Sequence, residues 1–144
     1  MTRPAASDPE TRARMSRQRR RDTKPEKLVR ATLHGLGRRY RVSVRDLPGS
    51  PDIANKSGGW AIFVHGCYWH HHPGCRFATT PTRNREWWVK KFERNARRDH
   101  SKLEALEERG FDVLVVWECE TRDERALRAR LARWFVSLPE PGST

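Results

Sequence analysis

"IFVHGCYWHHHPGC", residues 62–75, changes character part-way along. It begins as an apolar run that suits a buried strand. From Val64 to Cys75 it then carries four histidines and two cysteines in twelve positions. Such a loop is a metal site, a catalytic site or an incidental polar run, and the flanking segments decide between them.

Upstream, "IANKSGGWAIFV" (53–64) reads as two short strands joined at Ser57-Gly58-Gly59, with the turn cluster "LPGSPD" before it. "RRYRVSVRD" (38–46) alternates as a strand does, with Tyr40, Val42 and Val44 expected on one face. "TKPEKLVRATLHGLG" (23–37) predicts a helix. Thr23 and Glu26 have capping-box spacing, Pro25 suits the first turn, and Leu28, Val29, Leu33 and Leu36 recur at helical spacing before Gly37.

Downstream of the Pro- and Thr-rich "ATTPT", residues 83–110 are strongly helical in composition, as one bent helix or two, and stop at Gly110. "FDVLVVWEC" (111–119) predicts a buried strand. Thr121 and Glu124 form a second capping-box pattern, opening a helix with a stripe of Leu127, Leu131, Trp134 and Phe135. The order α-β-β-β-α-β-α defines a mixed α/β fold. Residues 23–138 form the expected domain, preceded by a basic arm (1–22) and followed by a tail (139–144).

The 144 residues carry 30 Lys and Arg against 18 Asp and Glu, a net charge of +12. The excess is clustered, most densely in "TRARMSRQRRRD", and a polyanion such as nucleic acid is the partner it suits. No apolar stretch resembles a signal peptide or reaches the roughly 18 residues of a membrane span. A cytoplasmic protein is expected, with no membrane partner. Three cysteines are too few for a disulfide scaffold and fit a thiolate metal site better.

Zinc prefers a tetrahedron of thiolates and imidazoles. Cys67 and Cys75 bracket the histidines and Cys119 ends the last strand, so His72, three before Cys75, completes a four-ligand set. His65, His70 and His71 remain for other work. A histidine with an ordinary pKa of about 6.5 suits proton transfer at neutral pH. "SPDIA" places Asp52 between a turn and a strand. Restriction-type nucleases use a Pro-Asp there, followed by an acidic-x-Lys triplet, to hold magnesium and screen the phosphate. The triplet is absent, and Val64-His65 occupies its region.

Five pieces in order, "RARMSRQRRRDTKPE", "LPGSPDI", "IFVHGCYWHHHPGC", "REWWVKKFERNARRD" and "VLVVWEC", resemble the very short patch repair endonucleases, from about residue 11 to 136. The resemblance implies a restriction-endonuclease-like core with structural zinc on Cys67, His72, Cys75 and Cys119. It implies magnesium on Asp52 and on the backbone carbonyl of Val64, where the family often has Thr. His70 would be the general base, Glu26 would sit near the metal waters, and His65 and Asp99 match active-site positions. Tyr68, Trp69 and Trp88 match a wedge that enters the DNA stack. Met15, Arg17, Arg19, Arg20 and Arg21 would grip the far groove and phosphates. Pro73-Gly74 makes the loop one residue longer than in some members.

The implied substrate is duplex DNA with a T·G mismatch left by deaminated 5-methylcytosine. The implied reaction is a single-strand nick 5′ of the thymine by a monomer, linked to a cytosine-5 methyltransferase and a repair polymerase. Two rival readings are a restriction- or junction-type nuclease without mismatch specificity and a non-catalytic zinc DNA-binding module.

Overall fold

The computed structural model describes residues 22–138. The expected arm residues Met15, Arg17, Arg19, Arg20 and Arg21, and the tail, lie outside the described residues.

Helix α1 spans Lys24–Gly35. Thr23 caps it by accepting the Glu26 amide at 3.3 Å. The capping box is displaced by one residue, because the Glu26 carboxylate reaches back to the amide of Asp22 at 2.8 Å. Strands β1 (Arg41–Val42), β2 (Ile53–Asn55) and β3 (Trp60–His65) form an antiparallel meander. Helix α2 (Arg85–Glu108) crosses over to β4 (Asp112–Trp117), which pairs parallel with β3. A 3-10 turn, Glu118–Arg122, leads into α3 (Glu124–Ser137). The sheet order is β1-β2-β3-β4. The predicted element order and mixed sheet are therefore observed, and the 83–110 segment contains one helix.

Alternation along β3 builds both faces of the sheet. Trp60 and Ile62 point into a core with Val29 and Leu33 of α1, Ile53, Val116, and Leu127, Leu131 and Phe135 of α3. Ala61 and Phe63 point the other way, to Val44, Leu47, Ala54 and Leu106 of α2. Trp134 packs against the first core from its edge. Helices on both faces fix the end of β3, so the loop that follows starts from a rigid strand.

Two expectations are corrected. Tyr40, Val42 and Val44 do not share a face: Tyr40 packs on the first core, Val44 is buried in the second, and Val42 is 44% exposed. Ser43 lies between Val42 and Val44 at φ 48° and ends the alternation. Helix α3 is capped by Asp123, which accepts the Ala126 amide at 3.1 Å, whereas Thr121 donates to the Glu118 carbonyl inside the 3-10 turn.

Candidate active site

Asp52 precedes β2, and its Oδ2 accepts the Val64 amide of β3 at 2.7 Å. A residue's amide and carbonyl project to the same edge of an extended strand, so the Val64 carbonyl faces Asp52 as well. Burial raises the Asp52 pKa to about 6; Glu26 pushes the same way, while the Val64 bond and the charges of His70 and Lys102 oppose it. Glu26 is itself buried, and its carboxylate also accepts from Arg30 at 3.2 Å. Both carboxyls line one cavity of about 540 Å³ with Val64, His65, His70 and Lys102. A buried carboxyl and a partly buried one, close enough that the charge of Glu26 is felt at Asp52, suit a hard cation better than they suit each other.

His70 enters the cavity from the loop. Its Nδ1 lies 2.7 Å from Asp99 Oδ2 on α2. Burial works to raise the Asp99 pKa, but the hydrogen bond and charge of His70 outweigh it and hold it low. An ionised Asp99 is an acceptor for a proton carried on Nδ1, an arrangement that would turn Nε2 toward the cavity. His65 stacks on His70, centroids 3.9 Å apart and planes within 5°. Burial, helped by His70, lowers the His65 pKa to about 3, so this ring is neutral. His65, His70 and Asp99 bring donor atoms within 4.8 Å of one another. An imidazole binds a cation in its own plane, and two parallel stacked planes do not converge on one ion. This geometry suits the orienting of one imidazole by its neighbours better than the chelation of an ion.

A second cluster lies behind the loop. Cys67, His72, Cys75 and Cys119 offer donor atoms within 4.8 Å of one another, and the cysteines are free thiols. His72 Nδ1 is 3.5 Å from Cys119 Sγ and 3.8 Å from Cys67 Sγ. Burial pushes the Cys67 thiol up, whereas the backbone amides of Phe77 and Ala78 help to pull Cys75 down. Three sulfurs and an imidazole packed this closely can hold a soft metal ion. Glu118, which lines the cavity of Asp52 and His70, accepts the Cys67 amide at 3.4 Å and so joins the two clusters.

The aromatics form a third group, apart from both cores. Tyr68, Trp88 and Phe92 are buried in it, with Trp69 and Trp87 partly buried against them. Trp88 thus faces inward, with Trp87 on its outer side. Asn95 on α2 donates to the Trp69 carbonyl at 3.2 Å. One face of α2 therefore serves each group in turn: Trp88 and Phe92, then Asn95, then Asp99 and Lys102, then Leu106 in the core.

The sequence reading did not single out Lys102, Glu118 or Arg122 among the cavity residues. For Lys102 one signal was present: it lies three residues beyond Asp99, on the same helical face. Glu118 and Arg122 sit in a 3-10 turn whose geometry no periodicity announces.

A mixed sheet with helices on both faces, a partly buried aspartate leading into the second strand and a cysteine-histidine cluster define a restriction-endonuclease-like domain. Residues 6–76 match the DNA mismatch endonuclease Vsr family. A type II nicking enzyme of Xanthomonas oryzae pv. oryzae is 47% identical over 85% of this chain and 90% of its own length. The DNA mismatch endonuclease Vsr of Escherichia coli K12 is 39% identical over 80% of this chain and 76% of its own. A type II nicking enzyme of Neisseria meningitidis serogroup A is 40% identical over 78% and 79%. The chain belongs to the DNA mismatch endonuclease Vsr family.

Proposed function

We propose that this protein is a magnesium-dependent endonuclease that nicks one DNA strand on the 5′ side of the thymine in a T·G mismatch. The observation that carries the reading is the convergence on one cavity of a partly buried, cation-seeking carboxylate, Asp52, and an aspartate-oriented imidazole, His70.

Asp52 and the Val64 carbonyl would hold magnesium, with Glu26 near its waters. When bound, the ion supplies positive charge at the phosphate. His70 Nε2 takes a proton from water, whose oxygen bonds to phosphorus on the face open to it. The bond from phosphorus to the 3′ oxygen breaks, and that oxygen takes a proton from solvent. The products are a 3′ hydroxyl and a 5′ phosphate. Asp99 stabilises the imidazolium formed, and neutral His65 holds the ring by stacking.

Zinc on Cys67, His72, Cys75 and Cys119 would keep the loop bearing His70 rigid. Of the expected wedge residues Tyr68, Trp69 and Trp88, the partly buried Trp69 would enter the stack, with the buried Tyr68 and Trp88 packed behind it as its base. Support for this comes from the separation of this aromatic group from both cores and from the indole N–H groups of Trp69 and Trp87, which are buried without a partner among the described residues. Opening a stacked step costs on the order of a few kcal/mol, and less at a mismatch. The basic arm (1–22) would follow the phosphates of the 23–138 domain's substrate. Deaminated 5-methylcytosine would be the source of the T·G pair, so a cytosine-5 methyltransferase and a repair polymerase are the functional partners, in the bacterial cytoplasm.

The test is a panel of end-labelled duplexes with T·G, other mismatches and matched pairs in varied flanks, scored for nicks and end chemistry. A T·G substrate cut at least tenfold faster than its matched control, 5′ of the thymine, is expected. Equal cutting of matched duplexes would transfer the reading to a nuclease without mismatch specificity. No magnesium-dependent cutting at all would leave a zinc DNA-binding module.

A further inference from the structure

The acidic-x-Lys triplet of restriction-type nucleases is absent from β3, where Val64-His65 stands instead. Yet the cavity is not without a lysine. Lys102 of α2 lines it together with Asp52, Glu26, His65 and His70. Its route there is built into the backbone. A Cβ on Gly49 would lie 2.6 Å from Lys102 Cβ and 2.7 Å from its Cγ, so the stem runs directly across a glycine whose φ is +74°. Any other residue at 49 would displace that stem. Lys102 is half-buried, and its ammonium makes no hydrogen bond or ion pair among the described residues.

Its charge is nevertheless felt at Asp52, His65 and Asp99. A solvated helix lysine would point to bulk water and pair with the acidic residues along its own helix. This one lies over a catalytic cavity with its donors uncommitted, a disposition that suits an incoming anion. The only anion the proposed reaction brings to that cavity is the phosphate to be cleaved.

We propose that Lys102 binds the scissile phosphate and stabilises the negative charge that grows on its non-bridging oxygens, supplying from helix α2 the cation that the missing triplet would have placed on β3. The lysine forms and breaks no covalent bond and keeps its proton throughout. The inference rests on the nuclease reading above and concerns the group that meets the phosphate, not the mismatch.

The experiment compares wild type, Lys102→Met, Lys102→Arg and Asp52→Ala on whichever duplex wild type nicks. Lys102→Met keeps the aliphatic stem across Gly49 and removes the charge. Its nicking kcat is expected to fall about 10- to 100-fold, with KM for DNA within about threefold and part of the loss restored in Lys102→Arg. A second measurement needs no turnover. Binding is compared, without added magnesium, between the natural duplex and one with a neutral methylphosphonate at the linkage that wild type cuts. Wild type is expected to weaken on the neutral linkage relative to Lys102→Met, so that the ratio of the two dissociation constants differs at least threefold between the proteins.

Nicking by Lys102→Met within twofold of wild type, or an unchanged methylphosphonate ratio, overturns the role of Lys102 and leaves the nuclease reading intact. Wild-type cutting without preference for T·G overturns the mismatch reading alone. Asp52→Ala nicking at the wild-type rate overturns the magnesium assignment. A wild type that cuts no duplex overturns both the nuclease reading and the lysine.

Discussion

His70 and His72 are two residues apart and do unlike things. His70 turns to a carboxylate, Asp99, and stacks on a neutral ring in a cavity of oxygen donors. His72 turns to two sulfurs and stacks on Trp117, centroids 4.1 Å apart, in a cluster of soft donors. The loop reverses between them at His71, whose φ is 49°. On the proposed function the same side chain would be a base on one side of the loop and a ligand on the other, because its partners differ. On that reading the cavity side would serve a reaction and the sulfur side rigidity, so perturbing each should give opposite results.

The largest contrast is expected at Asp52. Asp52→Ala should reduce nicking by about 10³-fold or more while binding of the mismatched duplex stays within about threefold. Asp52→Asn should be equally inactive yet more stable. The folded pKa of about 6 stands above the ordinary 3.8, so the native state holds the extra proton between those values. Stability conferred by this group is therefore lost as pH rises from about 4 to 6, and the full penalty applies above 6. Asparagine keeps an acceptor for the Val64 amide and removes the partly buried charge. At pH 7 and without magnesium it should gain up to about 3 kcal/mol, and near pH 3.5 nothing. Urea melts at the two pH values measure this. An Asn variant less stable at pH 7 would show that Asp52 is not a strained carboxylate.

A paired substitution then separates the two sides of the loop. His70→Ala should lose about 10²- to 10⁴-fold in kcat and retain its zinc. His72→Ala should lose zinc to a mild chelator and unfold more easily. A structural zinc contributes on the order of 10 kcal/mol in small peptides, comparable to the whole stability of a domain this size. Metal content, melting and nicking of both variants form a two-by-two comparison. Zinc loss from His70→Ala, or full zinc retention by His72→Ala, would break the division of labour.

The pH profile sharpens the cavity side alone. With a pKa of about 6, Asp52 is roughly a tenth ionised at pH 5, so kcat/KM at low magnesium should be about tenfold below its plateau there. Proton and cation compete for one carboxylate, so raising magnesium should move this acid limb to lower pH. A limb set by a group that binds no cation would stay where it is. His65 should leave no mark on the profile, since burial holds its pKa near 3.

Much of this arrangement was legible in the chain because it is local. The α1 cap, the alternation of β3, the stripe of α3 and the Cys67-His72-Cys75 spacing each depend on neighbours in sequence, and Cys119 stood out as the one cysteine left over. The remainder depends on contacts between distant segments. Ser43 takes a left-handed conformation that its residue type does not favour, and it sends Val42 outward while Val44 turns in. Asp123 displaces Thr121 as the α3 cap only because a 3-10 turn intervenes. Lys102 reads as one more charge on a polar helix until Gly49, some fifty residues upstream, is placed against its stem. Trp87 and Trp88 are equivalent in composition, and only the position of Phe92 one turn on selects Trp88 for burial.

The smallest effect belongs to the residue between the two sides. His71 packs flat on Phe92, centroids 4.3 Å apart and planes within 21°, and burial lowers its pKa. Neither the oxygen cavity nor the sulfur cluster uses it, so its contribution is packing the loop against the aromatic group. His71→Ala should cost about 1 kcal/mol of stability through the lost ring contact. Nicking should stay within about threefold of wild type and zinc content should not change. His71→Gly loses the same contact but relieves the left-handed backbone, so in the folded state it should recover a few tenths of a kcal/mol relative to alanine at this position. If His71→Ala instead abolished nicking with zinc and stability intact, the turn between His70 and His72 would itself belong to the catalytic side, and the loop would have one function rather than two.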